Sequence, residues 1–373
     1  MTMQQFYDKH VWTKAVRDFM DLFVQGFVTA RSYESSMLWF VWYITQCDGR
    51  HRIFATSNGG QERKFVGGSM QISEGLAKKL GNEKVLLKSP VTKIEQKAHE
   101  VVVQDLNGKQ FSAKYVIVAT PLPLQQKIVY EPPLPSRRNQ LIQRLPMGSV
   151  IKTFMYYNTP FWRKKGCCGS AAIDDQDGLI GFCLDDVKPD GSHPAIMGFI
   201  LADKARKYCD LTKEERKKRI SELYSKVFQT DEALNPIHYE EMDWLAEQWS
   251  GGCYTTMMPP GFLTKFGREI RKPIGRLYFA GTETATYWSG YMEGAIQAGE
   301  RAGREILAEM GKIRSDQIWQ DEPEDKEILP HPFETSFWER HAPSVPVFLC
   351  LTTTALLVGG GVAGTLVYHK YFR

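Results

Sequence analysis

The 373-residue sequence holds seven cysteines and eight histidines, yet it has no CxxC pair, no HxxxH and no HExxH. Those absences exclude the common zinc and thiol-redox frameworks, and no metal ligand set is expected. An odd cysteine count also argues against a disulfide scaffold, so a reducing compartment fits best. There is little charge of one sign. Lys and Arg total 47 against 43 Asp and Glu, giving a net charge of +4, and without a basic stripe this excludes a general nucleic-acid partner. No basic N-terminal stretch followed by an apolar run is present, so no signal-peptide pattern is seen, and no internal repeat is visible. The GxGxxG dinucleotide fingerprint is missing from its usual setting, a strand leading into a helix. Its only instance, Gly359, Gly361 and Gly364, falls inside an apolar C-terminal run and cannot open the βαβ unit of about thirty residues that the fingerprint needs.

Aromatic residues are abundant. Twenty Phe, 16 Tyr and 9 Trp within a 43% apolar, 24% charged chain describe a globular protein with more ring surface than a minimal scaffold needs, suited to a large flat ligand. The chain length implies two to three domains. Val345 to Val367 runs uncharged, with Arg340 and His341 before it and His369, Lys370 and Arg373 after it. At about 1.5 Å per residue it is long enough to cross a hydrocarbon core of about 30 Å. A transmembrane tail anchor over 344–368 is therefore expected, partnered by a lipid bilayer; the glycines at 359 to 361 and threonines at 352 to 354 keep a buried core helix open as the alternative. Before it, 315–343 is rich in acidic residues and proline and suggests an extended connector.

Helix signals cover Thr13 to Gln25, Ser35 to Gln46, Gly68 to Leu80, Thr212 to Phe228 and Gly290 to Met310. Strand signals cover Val85 to Leu87, Val91 to Glu95, Val101 to Asp105, Tyr115 to Ala119, Met147 to Tyr157, Gly181 to Leu184, Ala195 to Leu201 and Arg276 to Ala280, with a hairpin turn at Asn107-Gly108. This mixture predicts an α/β architecture with a second sheet domain. Two stretches carry chemistry. Arg276 to Glu283 is a buried-type strand that ends in a glycine and a carboxylate, and the helix after it carries small residues at Gly294, Ala295, Ala298, Gly299, Ala302 and Gly303. Such a stripe permits close approach of a backbone or a cofactor, and equally plain tight packing. Ser250 to Thr256 places Cys253 after two glycines, where a planar partner can reach the sulfur; a lone cysteine is more often a small core residue.

The run Ser250 to Thr256, the segment Phe279 to Thr286 and the segment Trp288 to Ala295 resemble the signatures of the monoamine oxidases, membrane-anchored flavoenzymes. The resemblance extends through Asn58 to Gly68, Pro160 to Lys165 and the tail, and covers essentially the whole chain. It implies an FAD-binding-type parallel sheet domain, here without its N-terminal βαβ unit, joined to a mixed-sheet substrate domain and a C-terminal transmembrane helix. The corresponding divisions are 1–60 (helical part of the substrate domain), 61–120 (FAD-binding), 121–250 (substrate-binding) and 251–314 (FAD-binding with the flavin-attachment motif).

By the same resemblance, FAD is held covalently at Cys253, with Val91, Gly281, Glu283 and Met292 at the cofactor. Tyr254 and Tyr291 face each other across the substrate amine, and Lys152 holds a water used when oxygen reoxidises the flavin. Phe54, Gln61 and Phe182 line the substrate cavity. The implied activity is oxidative deamination of primary arylalkylamines to aldehydes with release of hydrogen peroxide. The implied setting is the mitochondrial outer membrane, tail-anchored and facing the cytosol, with a homodimer as a further expectation. Two departures stand beside these matches. The missing fingerprint leaves open an inactive, membrane-anchored homologue unable to retain FAD. Gln25-Gly26-Phe27 places a bulky ring where relatives carry a small or polar residue, so substrate preference does not transfer from any one relative.

Overall fold

The computed structural model describes residues 1–57, 59–175, 177–320, 337–343 and 345–371. Eleven strands are described: β1 (Val91–Gln96), β2 (Val101–Asp105), β3 (Gln110–Ala113), β4 (Val116–Val118), β5 (Val129–Glu131), β6 (Val150–Tyr156), β7 (Ala171–Ala172), β8 (Phe182–Asp185), β9 (Ala195–Leu201), β10 (His238–Asp243) and β11 (Leu277–Phe279). They form a four-stranded sheet in the order β3-β2-β1-β5, a five-stranded sheet in the order β10-β6-β9-β8-β7, and a two-stranded pair of β11 and β4. The β4–β11 and β1–β5 pairs are parallel and the remaining pairs antiparallel. The architecture is therefore the mixed α/β arrangement expected.

The five-stranded sheet is the larger scaffold, and its pattern follows from alternation along β6. Ile151, Thr153 and Met155 are buried on one face, while Lys152, Phe154 and Tyr156 stay half-buried on the other, because successive strand residues point to opposite faces. The buried face joins Trp162, Ile196, Ile200, Tyr224 and Phe228 in one core. Helix Lys213–Phe228 closes that core. It starts at a reciprocal capping box, in which the Thr212 hydroxyl accepts from the Glu215 N–H and the Glu215 carboxylate accepts from the Thr212 N–H, satisfying donors that a helix start leaves unpaired. A second core gathers Trp39, Phe40 and Tyr43 from helix Met37–Thr45 with Val24 and Val28 from helix Lys14–Val28. Helix Lys14–Val28 ends where Thr29 adopts a left-handed conformation at φ 51°, which turns its hydroxyl toward the loop around residue 253.

Val85 to Leu87 is not a strand: a short 3-10 turn at Asn82–Lys84 runs into irregular chain there, and Leu87 is largely exposed. β5 and β10 were not signalled by composition. β10 reads His-Tyr-Glu-Glu-Met-Asp, and only Tyr239 is buried; it is an edge strand whose polar residues face water. The Asn107-Gly108 hairpin joins β2 to β3 as expected, with Gly108 at φ +80°. Helix Met292–Glu309 begins two residues after the glycine expected to start it.

One further helix, Val345–Tyr371, contains the span Val347–Lys370, with a mean hydropathy of 1.8 and none of it buried against the rest of the chain. It is long and apolar enough to cross a membrane, and Gly359, Gly361 and Gly364 lie within it. Most of the acidic connector, residues 321–336, lies outside the described residues. Its first part rests on helix Met292–Glu309, where Arg304 donates to the Ile318 carbonyl at 3.2 Å.

Candidate active site

The chain from Cys253 to Met257 runs beside residues 146–148, just before β6. The Cys253 N–H donates to the Gly148 carbonyl at 3.0 Å, the Gly148 N–H to Thr255 at 3.1 Å, and the Met257 N–H to Pro146 at 2.9 Å. From the other side the Thr29 hydroxyl donates to the Cys253 carbonyl at 2.6 Å. These contacts need glycine. A Cβ at Gly148 would lie 1.8 Å from Thr29 Oγ1, and one at Gly252 only 2.4 Å from the Gly148 carbonyl oxygen. The Cys253–Tyr254 peptide is cis. Cys253 is half-buried and packs, with Phe182 and Phe199, against Val150, Leu201 and Ala202. Burial pushes its thiol up to about 11, and the Lys152 ammonium partly opposes the rise.

Tyr254 meets Phe199 edge-on, with ring centroids 6.5 Å apart. Burial around its hydroxyl, with the thiol of Cys253 and the phenol of Tyr291 nearby, pushes that hydroxyl well above the ordinary tyrosine range. Tyr291 stacks on Tyr43 at 6.4 Å and meets Trp288 edge-on at 4.9 Å, and Gln61 Nε2 donates to its hydroxyl at 3.4 Å. Burial pushes the Tyr291 phenol up to about 12, so both phenols stay neutral across the physiological range. The segment that presents Tyr291 is clamped from two sides. Gln46 Oε1 accepts from the Ser289 N–H at 2.7 Å, and the Thr282 hydroxyl accepts from the Gly290 N–H at 2.7 Å while donating to the Tyr291 carbonyl at 2.9 Å. Gln46, Tyr43 and Thr282 were not singled out in the sequence. Gln46 and Tyr43 end an ordinary apolar helix, and nothing in their spacing pairs them with residues about 240 positions away.

Lys152 stands on the half-open face of β6, its Nζ 5.4 Å from the Phe154 ring centre and 5.6 Å from that of Phe199. Burial lowers its pKa, Lys64 reinforces the fall, and Asp186 and Cys253 oppose it. Phe182 is opposite Phe199 in the sheet, and a Cβ at Gly26 would sit 2.9 Å from its ring, so glycine there makes room for Phe182. Phe27 meets Phe54 edge-on at 4.3 Å, and Phe23 meets Phe54 at 4.5 Å, building a three-ring wall beside that contact. Cys253, Lys152, Tyr254, Tyr291, Gln61, Phe182 and Phe54 are thus joined through direct or shared neighbours.

Gly281, Glu283 and Met292 form the adjoining turn and helix start. Gly281 has φ +94°. Glu283 is buried and accepts from the Thr255 hydroxyl at 3.3 Å, and burial raises its carboxyl above the usual range against the pull of that bond and of backbone N–H groups. Met292 and Ile296 keep substantial exposure on the helix that follows. The small-residue stripe divides: Gly294 packs against the Trp288 carbonyl, while Gly299 and Gly303 face open space. Val91 stands apart in β1, paired with Asp105 and packed at the edge of the small core around Ile94.

A half-buried thiol behind two glycines, a pair of neutral phenols and exposed apolar residues beside a helix start thus share one neighbourhood. The profile of the family described as "Flavin containing amine oxidoreductase" matches residues 2–307. The chain belongs to this family. It is 58% identical over 370 residues to a flavin-containing amine oxidase of Oncorhynchus mykiss and 54% identical to flavin-containing amine oxidase B of Homo sapiens, in each case over 99% of this chain and 71% of the relative. Among solved structures it is similar to cyclohexylamine oxidase from Brevibacterium oxydans, with a TM-score of 0.77 and 32% identity over 83% of this chain and 68% of that one. This flavin-containing amine oxidoreductase is therefore an oxidoreductase of monoamine oxidase type. Among its described residues no cluster of His, Cys, Asp and Glu is able to hold a metal ion.

Proposed function

We propose that the protein converts primary arylalkylamines, with oxygen and water, to aldehydes, ammonia and hydrogen peroxide. The observation that supports this reading is that Tyr254 directly follows the glycine-backed Cys253 and has the Tyr291 phenol near its own hydroxyl. A bound flavin supplies the two-electron chemistry. Cys253 would hold it through a thioether, with Gly281, Glu283 and Met292 along its edge and Val91 toward the adenine end; 61–120 and 251–314 would be its binding segments, 1–60 and 121–250 the substrate domain.

The protein's own part is binding, orientation and exclusion of water. Electron-rich faces of Tyr254 and Tyr291 would guide an amine nitrogen between them, and the rings would limit water at that point. Gln61 holds the Tyr291 hydroxyl. Phe54, Phe27 and Phe182 offer an apolar, ring-lined approach that favours an aryl group. Lys152, whose pKa burial lowers, would hold a water by hydrogen bonding near the thiol. Helix Val347–Lys370 would anchor the protein in the mitochondrial outer membrane with the catalytic body in the cytosol, where a homodimer would form.

The test is direct. Purified protein is given an arylalkylamine, peroxide is measured, and the acid-precipitated chain is examined for flavin absorbance. Amine-dependent peroxide with flavin retained in the precipitate is the expected result. Covalent flavin without amine turnover would overturn the substrate assignment, and peroxide formation with all the flavin in the supernatant would overturn the thioether.

A further inference from the structure

Beside Lys152, the ion pair of Lys64 and Asp186 links parts of the molecule that lie 122 positions apart in the sequence. Asp186 follows β8 and lies on the same side of that strand as Phe182 and Leu184, by alternation. Its backbone N–H donates to Ala195 at 2.9 Å, extending the pairing with β9. The side chain is 9% exposed. Lys64, on the loop that follows Gln61, donates to Asp186 Oδ1; Lys188 reaches Oδ2 only at 3.8 Å. Asp185, the preceding residue, is engaged elsewhere: it accepts from Trp162 Nε1 at 2.8 Å and from Arg163 Nε at 2.7 Å. The two neighbouring carboxylates therefore serve different faces of the sheet.

The loop held by Lys64 is otherwise fixed near its start. Gly60 N–H donates to Arg52 at 2.8 Å and Gln61 N–H to Ala55 at 3.1 Å, while Gln61 Nε2 reaches the Ile53 carbonyl at 3.1 Å as well as the Tyr291 hydroxyl. Beyond Gln61 the chain is exposed, with Phe65 and Val66 largely in solvent. Lys64 ties this open stretch to the end of β8 through Asp186. We infer that Lys64 and Asp186 form an ionic latch joining the Gln61 wall of the amine cavity to its Phe182 wall, and that both are positioning residues for amine binding. This rests on the amine-oxidase reading of the cavity. Asp186 is little exposed while Lys64 keeps 68% of its side chain in solvent, so the pair is worth about as much as an exposed ion pair, ~1 kcal/mol at most.

The experiment uses the full chain with three variants, Asp186→Asn, Lys64→Gln and the swapped pair Lys64→Asp with Asp186→Lys, and Lys188→Gln as a control. Two quantities are read: kcat and KM for an arylalkylamine, and the rate of trypsin cleavage after Arg63, which needs no bound flavin. The single variants should raise KM about fivefold with kcat little changed, the scale of one ion pair, and should speed cleavage after Arg63. The swapped pair should recover most of both losses, and Lys188→Gln should behave as wild type. Faster cleavage with an unchanged KM would overturn the role in amine binding. Unchanged cleavage and KM, no recovery in the swapped pair, or a Lys188→Gln effect equal to the others would overturn the latch. If the wild-type chain turns over no amine, the proposed function falls, and the cleavage rates still decide whether the loop is latched.

Discussion

At the scale of single residues the site is governed by burial. Cys253 has its thiol pushed up to about 11 by desolvation, and the thiolate is the reactive form. In flavin-free protein its alkylation by iodoacetamide should therefore be slow at pH 7 and rise about tenfold per pH unit toward pH 10; mass spectrometry of the tryptic peptide reads it, with the exposed Cys167 and Cys168 reacting first. Rapid labelling at neutral pH would contradict the buried-thiol description. If flavin is joined to the chain, Cys253→Ser should release it on denaturation. For the two phenols, Tyr254→Ala and Tyr291→Ala should each lower kcat/KM for amines by about tenfold, since shape changes in apolar pockets are worth about 1–3 kcal/mol. Flavin absorbance should stay intact, and the double variant should be worse than either. Unchanged kinetics in the double variant would reduce both rings to packing.

Among the secondary-structure elements, the decisive contact is the one between the segment entering β6 and the loop that carries Cys253. Gly148→Ala puts a methyl group into Thr29 Oγ1 and the Cys253 carbonyl. Overpacking of this kind typically costs about 1–3 kcal/mol, so a melting temperature lowered by several degrees is expected, and a melt indistinguishable from wild type would show that the loop yields freely. The last helix has an independent test: residues 345–373 fused to a soluble reporter should resist carbonate extraction, and a soluble fusion would make the segment something other than a membrane span. Most of these elements were legible in the sequence, for identifiable reasons. The Asn107-Gly108 turn, the helix signal over Thr212 to Phe228 and the strand signal over Met147 to Tyr157 are local patterns, and local patterns survive into the fold. β10 was illegible because an edge strand of His, Glu and Asp carries no apolar alternation, whereas Val85 to Leu87 had the composition of a strand and no neighbour to pair with. The site was legible chiefly through resemblance. The cysteine behind two glycines stood out by itself, but Gln46, Tyr43 and Lys64 act on residues more than a hundred positions away, and no spacing rule announces that.

For the molecule as a whole, acid should loosen the five-stranded sheet at one identifiable joint. Arg216 and Glu241 link helix Lys213–Phe228 to β10 through two bonds of 2.8 and 2.6 Å. Burial opposes the charge on Glu241, but Arg216 and the Tyr239 hydroxyl more than offset it and hold the carboxyl below its usual range. A carboxyl lowered in the folded state contributes stability that is present above its unfolded pKa and lost as pH falls through the folded one. Glu241→Gln should therefore cost about 3–5 kcal/mol at pH 7, the usual result of stranding a buried partner, and the gap from wild type in urea melts should narrow below about pH 4. A gap constant with pH would mean that shape, rather than charge, matters there. The bonds that assemble the site join residues separated by 224 positions at Thr29 and Cys253, 243 at Gln46 and Ser289, and 230 at Gln61 and Tyr291. Closing such long loops carries an entropy cost before any contact rewards it, whereas the β1–β2–β3 hairpins close within a few residues. In time, then, this protein builds its hairpins before its chemistry: on refolding, the β1–β2–β3 strand signal should return first, and the neighbourhood of Cys253 should be among the last to leave solvent.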